Sequence, residues 1–414
     1  MQLTIDSKQL PMGWEVKKLG EVCNISTGKL NANAAVENGK YPFFTCSREI
    51  FTIDHFAFDC EAILLAGNNA VGDFNVKHYK GKFNAYQRTY VITINQEETL
   101  LYKYLYLQVE SALKDFKLKS VGAGTKFLKL DMIKNLKLYL PPLPEQKQIV
   151  AILDEAFEGI NRAIANTEKN LANSRQVFES YLNAIFTQKG DEWEEVELGS
   201  LSERITKGSS PKWQGINYVD EPGILFVTSE NVGENQMLFE KTKYVEENFN
   251  EKDSKSILSF GDVLTNIVGA SIGRTAIYDR EDLANINQAV CLIRCKSDKL
   301  INKYLSYLLN SPYFRQILHE NEINNARANL SLGFFRGLQI PLPSLAEQQS
   351  IVFKMDDLSS ETQRLEAIYR QKIATLNELK QSILQKAFAG ELTVRLSSPT
   401  TADTSKTVKE EIVA

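Results

Sequence analysis

The sequence predicts a mixed α/β chain in which two α+β globular domains alternate with two long helices that pair as an antiparallel coiled coil. Three observations predict it. One segment occurs twice about 200 residues apart, short alternating apolar runs crowd the stretch before each occurrence, and about 40 residues free of proline follow it.

The repeated segment is LPPLPEQKQIV (residues 140–150), which returns as LPSLAEQQSIV (residues 342–352), an offset of 202. The register then holds without a gap. From Leu128 to Phe186, 17 of 59 positions match those 202 residues later, where chance would give roughly four, so this is an internal repeat. Upstream, Trp14-Glu15 and Leu19-Gly20 return as Trp193-Glu194 and Leu198-Gly199 at an offset of 179, with the two tryptophans as core anchors. The offset therefore grows by 23 residues, which places an insertion in the second copy, within the polar stretch Asp220–Lys255.

Within each copy, AILLAG, RTYVITI, ILFVTS, GDVLTNIV and AVCLIRC alternate in the way of half-buried strands and are punctuated by Gly, Asn and Pro. LLYKYLYLQVESAL, mirrored by LINKYLSYLLNSPYF, adds a helix to each domain. A PLP-type breaker followed by Glu-Gln then starts each long helix. In the first, Ile149, Leu153, Ala156, Ile160, Ile164, Thr167, Leu171, Ser174, Phe178, Tyr181 and Ile185 recur three or four apart. In the second, Ile351, Met355, Leu358, Thr362, Leu365, Tyr369, Ile373, Leu376, Leu379, Ile383 and Ala387 do the same. Each row is a coiled-coil seam with one break in register. Neither helix hides its stripe alone, so the two are expected to pack antiparallel, as a rod of roughly 60 Å. A generic dimerisation coiled coil is the other reading of the heptads. The resulting partition is domain 1 over residues 1–143, a helical region over 144–188, domain 2 over 189–345, a second helical region over 346–392, and a polar, disordered tail over 393–414.

Composition bounds the function. Hydrophobic residues at 43% and charged residues at 24% describe an ordinary globular protein large enough for two or three cores. No apolar run approaches the roughly 18 residues of a membrane span, and MQLTIDSKQL is not a signal peptide, so a cytoplasmic protein is expected. Cys23, Cys46, Cys60, Cys291 and Cys295 form no CxxC pair, which argues against disulfides and structural zinc, and Cys291 and Cys295 are placed on one side of a strand. The net charge of −4 is unevenly held: residues 11–140 carry 17 Lys+Arg against 13 Asp+Glu, and residues 189–343 carry 17 against 22. A nucleic-acid role for the second domain therefore needs a local basic patch.

Catalytic patterns are thin. Gly269-Ala270-Ser271-Ile272-Gly273 matches the GxSxG nucleophile elbow, but RTAIY after it reads as a strand where that motif needs a helix, and only His319 follows the serine. VGAGTK (residues 121–126) lacks the frame of a phosphate loop, and three scattered histidines form no metal set. What remains is loops rich in the side chains that contact phosphates and base edges. In the first copy these are Lys29, Asn31, Asn33, Asn68, Asn69, Lys77, Lys80, Lys82, Asn84, Gln87, Arg88, Thr125 and Lys126, where KHYKGKFNAYQR suits a phosphate-gripping hairpin or a merely solvated one. In the second they are Lys207, Ser209, Ser210, Lys212, Thr228, Ser229, Asn231, Ser271, Arg274, Asn285, Asn287, Gln288, Arg327 and Asn329. Asn287 and Gln288 start a strand and can equally cap a turn.

The combination of LPMGWEVKKLGEV and DEWEEVELGSL opening the halves, TGKLN and TKGSSPKWQ as first loops, GDVLTNIVGASIGRTAIY with NINQAVCLIR, and the two PLP-x-EQ-x-x-IV helix starts resembles the specificity subunit of Type I restriction-modification systems, from Leu10 to about Leu392. The resemblance implies a non-catalytic subunit. Each globular half would be a target recognition domain reading one half of a bipartite, asymmetric site in double-stranded DNA, and the helices would set the spacer between the halves. It further implies docking of two modification subunits, which bind S-adenosylmethionine and methylate adenine after flipping it from the duplex, and of restriction subunits, with no cofactor in this chain. Glu145, Gln146, Ile149 and Val150, with Glu347, Gln348, Ile351 and Val352, would belong to the scaffold and subunit interface. A coiled-coil scaffold with two protein-binding domains, or a serine hydrolase using Ser271, are the competing readings.

Overall fold

The computed structural model describes residues 10–188, 190, 192–220, 223–324 and 328–393. The polar tail beyond Thr393 and Arg327 therefore lie outside the described residues. In chain order the first copy comprises β1 (Glu15–Lys18), α1 (Leu19–Val22), β2 (Cys23–Thr27), β3 (Tyr41–Phe44), β4 (Phe51–Ile53), β5 (Phe58–Ala66), β6 (Asn68–Asn69), β7 (Val76–Ala85), β8 (Thr89–Ile94), α2 (Tyr102–Ser111), α3 (Leu113–Lys119), β9 (Lys126–Phe127), α4 (Leu130–Lys134), β10 (Lys137–Leu140) and the long helix α5 (Leu143–Thr187). The second comprises β11 (Glu194–Glu197), β12 (Ser202–Lys207), β13 (Tyr218–Val219), β14 (Ile224–Val227), β15 (Tyr244–Val245), α6 (Phe249–Lys252), β16 (Val263–Asn266), β17 (Thr275–Ile277), β18 (Ala284–Ile286), β19 (Val290–Cys295), α7 (Asn302–Asn310), α8 (Pro312–Glu320), β20 (Ile323–Asn324), β21 (Ala328–Asn329), α9 (Leu332–Gly337), β22 (Gln339–Leu342) and the long helix α10 (Leu345–Phe388).

The chain divides into two units that cut across the partition expected from sequence. Unit 1 takes residues 1–167 with 371–414, and unit 2 takes 168–370. Each unit thus owns one globular domain and a half of each long helix.

In unit 1 the sheet order is β2-β8-β5-β7-β3-β4. Alternation along β5 sends Ile63 and Leu65 to the main core with α2, and Ala62 and Leu64 to a second core with Phe44, Phe83 and Val91. The sheet must coil. Phe83 pairs with Phe58 and Thr89 with Ala66 on the same strand β5, so a flat ladder would separate Phe83 and Thr89 by roughly 27 Å along the strand. The six residues from one to the other reach only about 21 Å. Gly81, at φ 129° in the middle of β7, supplies the bend. In unit 2 the corresponding strand is interrupted instead. β17 stays in the sheet β12-β19-β16-β17, while β18 pairs with β14 in a second sheet, β13-β15-β14-β18. Matching ladders (Phe44 opposite Ala85, Val227 opposite Ile286) show the same strand crossing in both units. The sixteen-residue link from β14 to β15, against six from β3 to β4, places ten of the inserted residues inside the expected stretch.

The long helices pair antiparallel within each unit. In unit 1, Ile149, Leu153, Phe157 and Ile160 of α5 share a core with Leu384, Ala387 and Phe388 of α10, and Lys380 Nζ sits 4.8 Å over the Phe157 ring. In unit 2, Leu182 and Phe186 of α5 meet Ile351, Val352 and Met355 of α10, and Arg175 Nε donates to Glu366 Oε1 at 2.5 Å. The expected seam departs from the structure at its ends. Tyr181 is 42% and Leu379 36% exposed. The last turn of each helix leaves the seam to put Leu182 and Phe186, or Leu384 and Phe388, into a globular core, where Phe186 packs edge-on against Tyr304 and Phe388 against Tyr104.

The helix starts are fixed by a buried glutamine. Gln146 Oε1 accepts the Leu101 N–H at 3.0 Å, and its Nε2 donates to the carbonyls of Thr99 (2.8 Å) and Pro141 (2.9 Å). Gln348 repeats the set on Ile301 N–H (2.9 Å), Lys299 (3.0 Å) and Pro343 (3.0 Å). Both are fully buried. In the same turn Glu145 accepts the Trp14 indole N–H at 3.1 Å and Glu347 accepts that of Trp193 at 2.9 Å, which is what the matched tryptophans anchor.

Two outcomes are expected. Gln146→Ala leaves three buried backbone groups unpaired and should cost about 3 kcal/mol. Gln146→Glu should do no better, because the carboxylate faces two carbonyls, and denaturation curves measure both. Hydrogen bonds from Arg175, then the fields of Arg175 and Arg370, hold the Glu366 carboxyl below the usual glutamate value. A depressed carboxylate stabilises the fold above its unfolded pKa and loses that contribution as pH falls through the folded one. Glu366→Gln should therefore lower the stability at neutral pH by less than ~1 kcal/mol, a gap that thermal melts should show closing below about pH 4.

Candidate nucleic-acid interface

The loop after β2 and the turn before β8 meet because a glycine permits it. A Cβ on Gly28 would lie 1.8 Å from the Ala85 carbonyl oxygen, and one on Gly208 would lie 1.7 Å from that of Ile286. The two first loops, TGKLN and TKGSSPKWQ, therefore cross the same strand end in both units. In unit 1 this brings Lys29 and Asn31 beside Gln87, whose Nε2 donates to Asn31 Oδ1 at 2.8 Å. Arg88 follows. Its guanidinium lies 4.8 Å over the Phe127 ring, and its carbonyl accepts the Gly67 N–H at 2.9 Å. Because β6 pairs with β9, Asn68 stands opposite Phe127 and Asn69 opposite Lys126, so Arg88, Asn68, Asn69, Thr125 and Lys126 belong to one cluster with the first loop. Lys29, Asn31, Asn33 and Arg88 are exposed.

Other expected residues of the first copy do not join it freely. KHYKGKFNAYQR is no hairpin. Ten-residue β7 occupies most of it, and Lys80 and Lys82 pair along the β5–β7 ladder with Glu61 (2.9 Å) and Asp59 (4.0 Å). Lys77 donates to the Ser47 carbonyl and Asn75 Oδ1, and burial pushes its ammonium below the usual lysine value. Asn84 is buried and donates to the His55 carbonyl. Asn69 Oδ1 caps the N–H groups of Val71 and Asp73.

In unit 2 the corresponding cluster gathers Lys207, Ser210 and Lys212 of the first loop with Asn287, whose Oδ1 caps the Ala289 N–H at 3.0 Å. Gln288 beside it is exposed. Val268 bridges Asn329 as Asn68 faces Phe127 in unit 1, which adds Asn329, half-buried Ser271 and exposed Arg274. Ser229 is tied in by its carbonyl, which accepts the Asn266 Nδ2–H. Three expectations are corrected. Asn231 is buried, its Oδ1 accepts from Thr228, and its Nδ2 donates to the Leu238 and Lys241 carbonyls, so it braces its loop and has no face left for a base. Thr228 is buried with it, and Asn285 is buried and donates to Asn250 and the Asp253 carbonyl. Ser209 donates to Asp253 at 2.6 Å. Arg327 lies outside the described residues.

Sequence reading passed over Trp213, which is 81% exposed on a 3-10 turn, Pro211–Gln214, beside Lys212. Its only signal was an aromatic in a polar loop without strand or helix periodicity.

Of the scaffold residues, Gln146, Ile149, Gln348, Ile351 and Val352 are buried within their own units, whereas Glu145 and Val150 are half-buried and Glu347 exposed. As surfaces for a partner only the last three remain.

Nucleophile chemistry has little to stand on among the described residues. Strand β17, not a helix, follows Gly273, and the His319 ring is engaged by Glu322 at 2.5 Å. Burial pushes the Cys23, Cys291 and Cys295 thiols up to about 12, and no group of three potential metal ligands is present among those residues.

The sequence matches the profile of a family described as Type I restriction modification DNA specificity domain over residues 11–172 and again over 190–375. It is similar to the Type I restriction enzyme EcoDI specificity subunit of Escherichia coli, at 27% identity over 94% of this chain and 90% of that protein. The MjaVIII specificity subunit of Methanocaldococcus jannaschii is 25% identical over 94% and 95%. In fold, a chain solved in work on complex assembly and conformational transition of the type I R-M system superposes with a TM-score of 0.72 at 20% identity, covering 92% of this chain and 99% of that one. The HsdS subunit from Thermoanaerobacter tengcongensis does so at 0.52 and 20% identity, over 92% and 98%.

Gly208→Ala should destabilise by on the order of 3 kcal/mol or prevent folding, because neither the carbonyl nor the crossing strand can retreat. Gly215→Ala, with open space around it, should cost less despite its positive φ. Thermal melts of the two variants separate these cases.

Proposed function

The chain belongs to the Type I restriction modification DNA specificity family, as a specificity subunit with two copies of the domain, and we propose that each copy reads one half of a two-part DNA site. The observation that carries this reading is a contrast inside the repeat. Framework contacts recur one for one (Gln146 and Gln348, Trp14 and Trp193, Tyr104 on Phe388 and Tyr304 on Phe186), while the clustered loop residues differ. A shared frame with unlike loops suits two readers of unlike sequences.

On this reading Lys29, Asn31, Asn68, Arg88 and Lys126 meet one half-site, and Lys207, Ser210, Lys212, Ser229, Ser271, Arg274, Asn287 and Asn329 meet the other. Arg and Asn can read guanine and adenine bidentately, and lysines fix register on phosphates. The exposed cations answer the negative net charge, since a few local contacts are enough to position a duplex. The paired helices set the unread spacer and dock two modification subunits, which supply S-adenosylmethionine and the methyl transfer. Restriction subunits join that complex. This chain contributes the address and no catalytic group. Among the described residues no helix is long and apolar enough to cross a membrane, and a cytoplasmic location fits the role.

The test is single-molecule methylome sequencing of cells expressing this chain with its modification subunits. The expected product is adenine methylation at one split, non-palindromic motif; a continuous or palindromic motif, or none, would refute the reading. Arg88→Ala should relax specificity within one half only and reduce the salt slope of binding by about one. Lys80→Ala and Lys82→Ala, whose charges face Glu61 and Asp59, should leave both unchanged.

A further inference from the structure

The chain has three tryptophans. Trp14 is 8% exposed and Trp193 is tied through its indole N–H to Glu347, but Trp213 is 81% exposed. A ring left in water on a floppy loop would need no explanation. This one stands on a braced stub. Pro211 and Ile216 are buried on either side of the turn, and the Ile216 N–H donates to the Pro211 carbonyl at 2.9 Å. Ser209 donates to buried Asp253, and Lys252 Nζ donates to the Gln214 carbonyl at 2.7 Å. Lys207, at the end of β12, and Lys212, within the turn, are both exposed. A preorganised aromatic next to exposed cations loses little entropy on contact and offers a flat apolar face beside candidate phosphate ligands.

The first copy has the same turn without the ring. After Gly28 the 3-10 turn is Ala32–Ala34 and carries Asn33. Whatever Trp213 does is therefore done by one unit alone.

Resting on the function proposed above, we infer that Trp213 is a DNA-contact residue of the second unit. Its indole packs against the sugar and base edges of that unit's half-site while Lys207 and Lys212 hold neighbouring phosphates. The contact adds affinity to one half-site and none to the other.

The experiment uses the full chain assembled with its modification subunits and a duplex carrying the motif found by methylome sequencing. Wild-type complex should show one tryptophan that acrylamide quenches freely without DNA and poorly with it. Trp213→Ala should lose that signal and bind about tenfold more weakly, a loss in the range of single aromatic contacts to nucleic acid. Trp213→Phe should recover most of the affinity. Melting of both variants should match wild type, since the ring supports no core. Scrambling the second unit's half-site should erase the difference between Trp213→Ala and wild type, and scrambling the other should preserve it. The inference is overturned if the alanine variant binds as wild type does, or if the indole stays accessible on DNA. If the complex methylates no split motif, the proposed function fails and takes this contact with it; if methylation is normal and Trp213→Ala is silent, this contact alone is wrong.

Discussion

A side-chain amide with three backbone partners governs this architecture. Gln146 and Gln348 lie at the first turn of each long helix, where an α-helix has backbone groups still in want of partners, and each is fully buried. An amide can donate and accept at once. Each glutamine uses that to tie its helix start to the segment before α2 or α7 and to the strand end just left. The direction of each long helix relative to its own domain is thereby set by hydrogen bonds of fixed length rather than by apolar packing, which tolerates slip.

The far end of the other long helix completes each domain. Phe388 reaches Tyr104 in unit 1 and Phe186 reaches Tyr304 in unit 2. Unit 1 is therefore discontinuous in sequence and holds residues from near the end of the chain in its core, whereas unit 2 is one continuous segment. The loops that carry the clustered Lys, Arg, Asn and Ser side chains, by contrast, touch none of these contacts. The sheet can coil through Gly81 in one unit and split at residues 278–283 in the other without disturbing the helix starts. Such a frame lets the loops vary in sequence at little cost to the fold, which suits a specificity subunit.

Much of this was legible in the residues. Spacings of three and four located the seam from Ile149 to Phe178, and the repeat marked the two copies that the family profile matches. Periodicity failed at Tyr181 and Leu379, where the helix changes the surface it buries against. A period reports which residues share a face and not what that face meets. The basic stretch from Lys77 to Lys82 hid a related fact: Glu61 and Asp59, which face Lys80 and Lys82, are brought alongside only by the ladder. Asn231 looked like a base reader because loop asparagines and buried turn braces are the same residue in sequence. Trp213 was hidden by the opposite habit, that of assigning tryptophan to a core.

The central claim is that the two units read independently on one frame. Replacing residues 190–343 with the matching segment of a related specificity subunit, and sequencing the methylome produced with the same modification subunits, tests it directly. The account predicts that one half of the split motif changes while the other half and the spacer stay as they were. A change in both halves, or in neither, would contradict it.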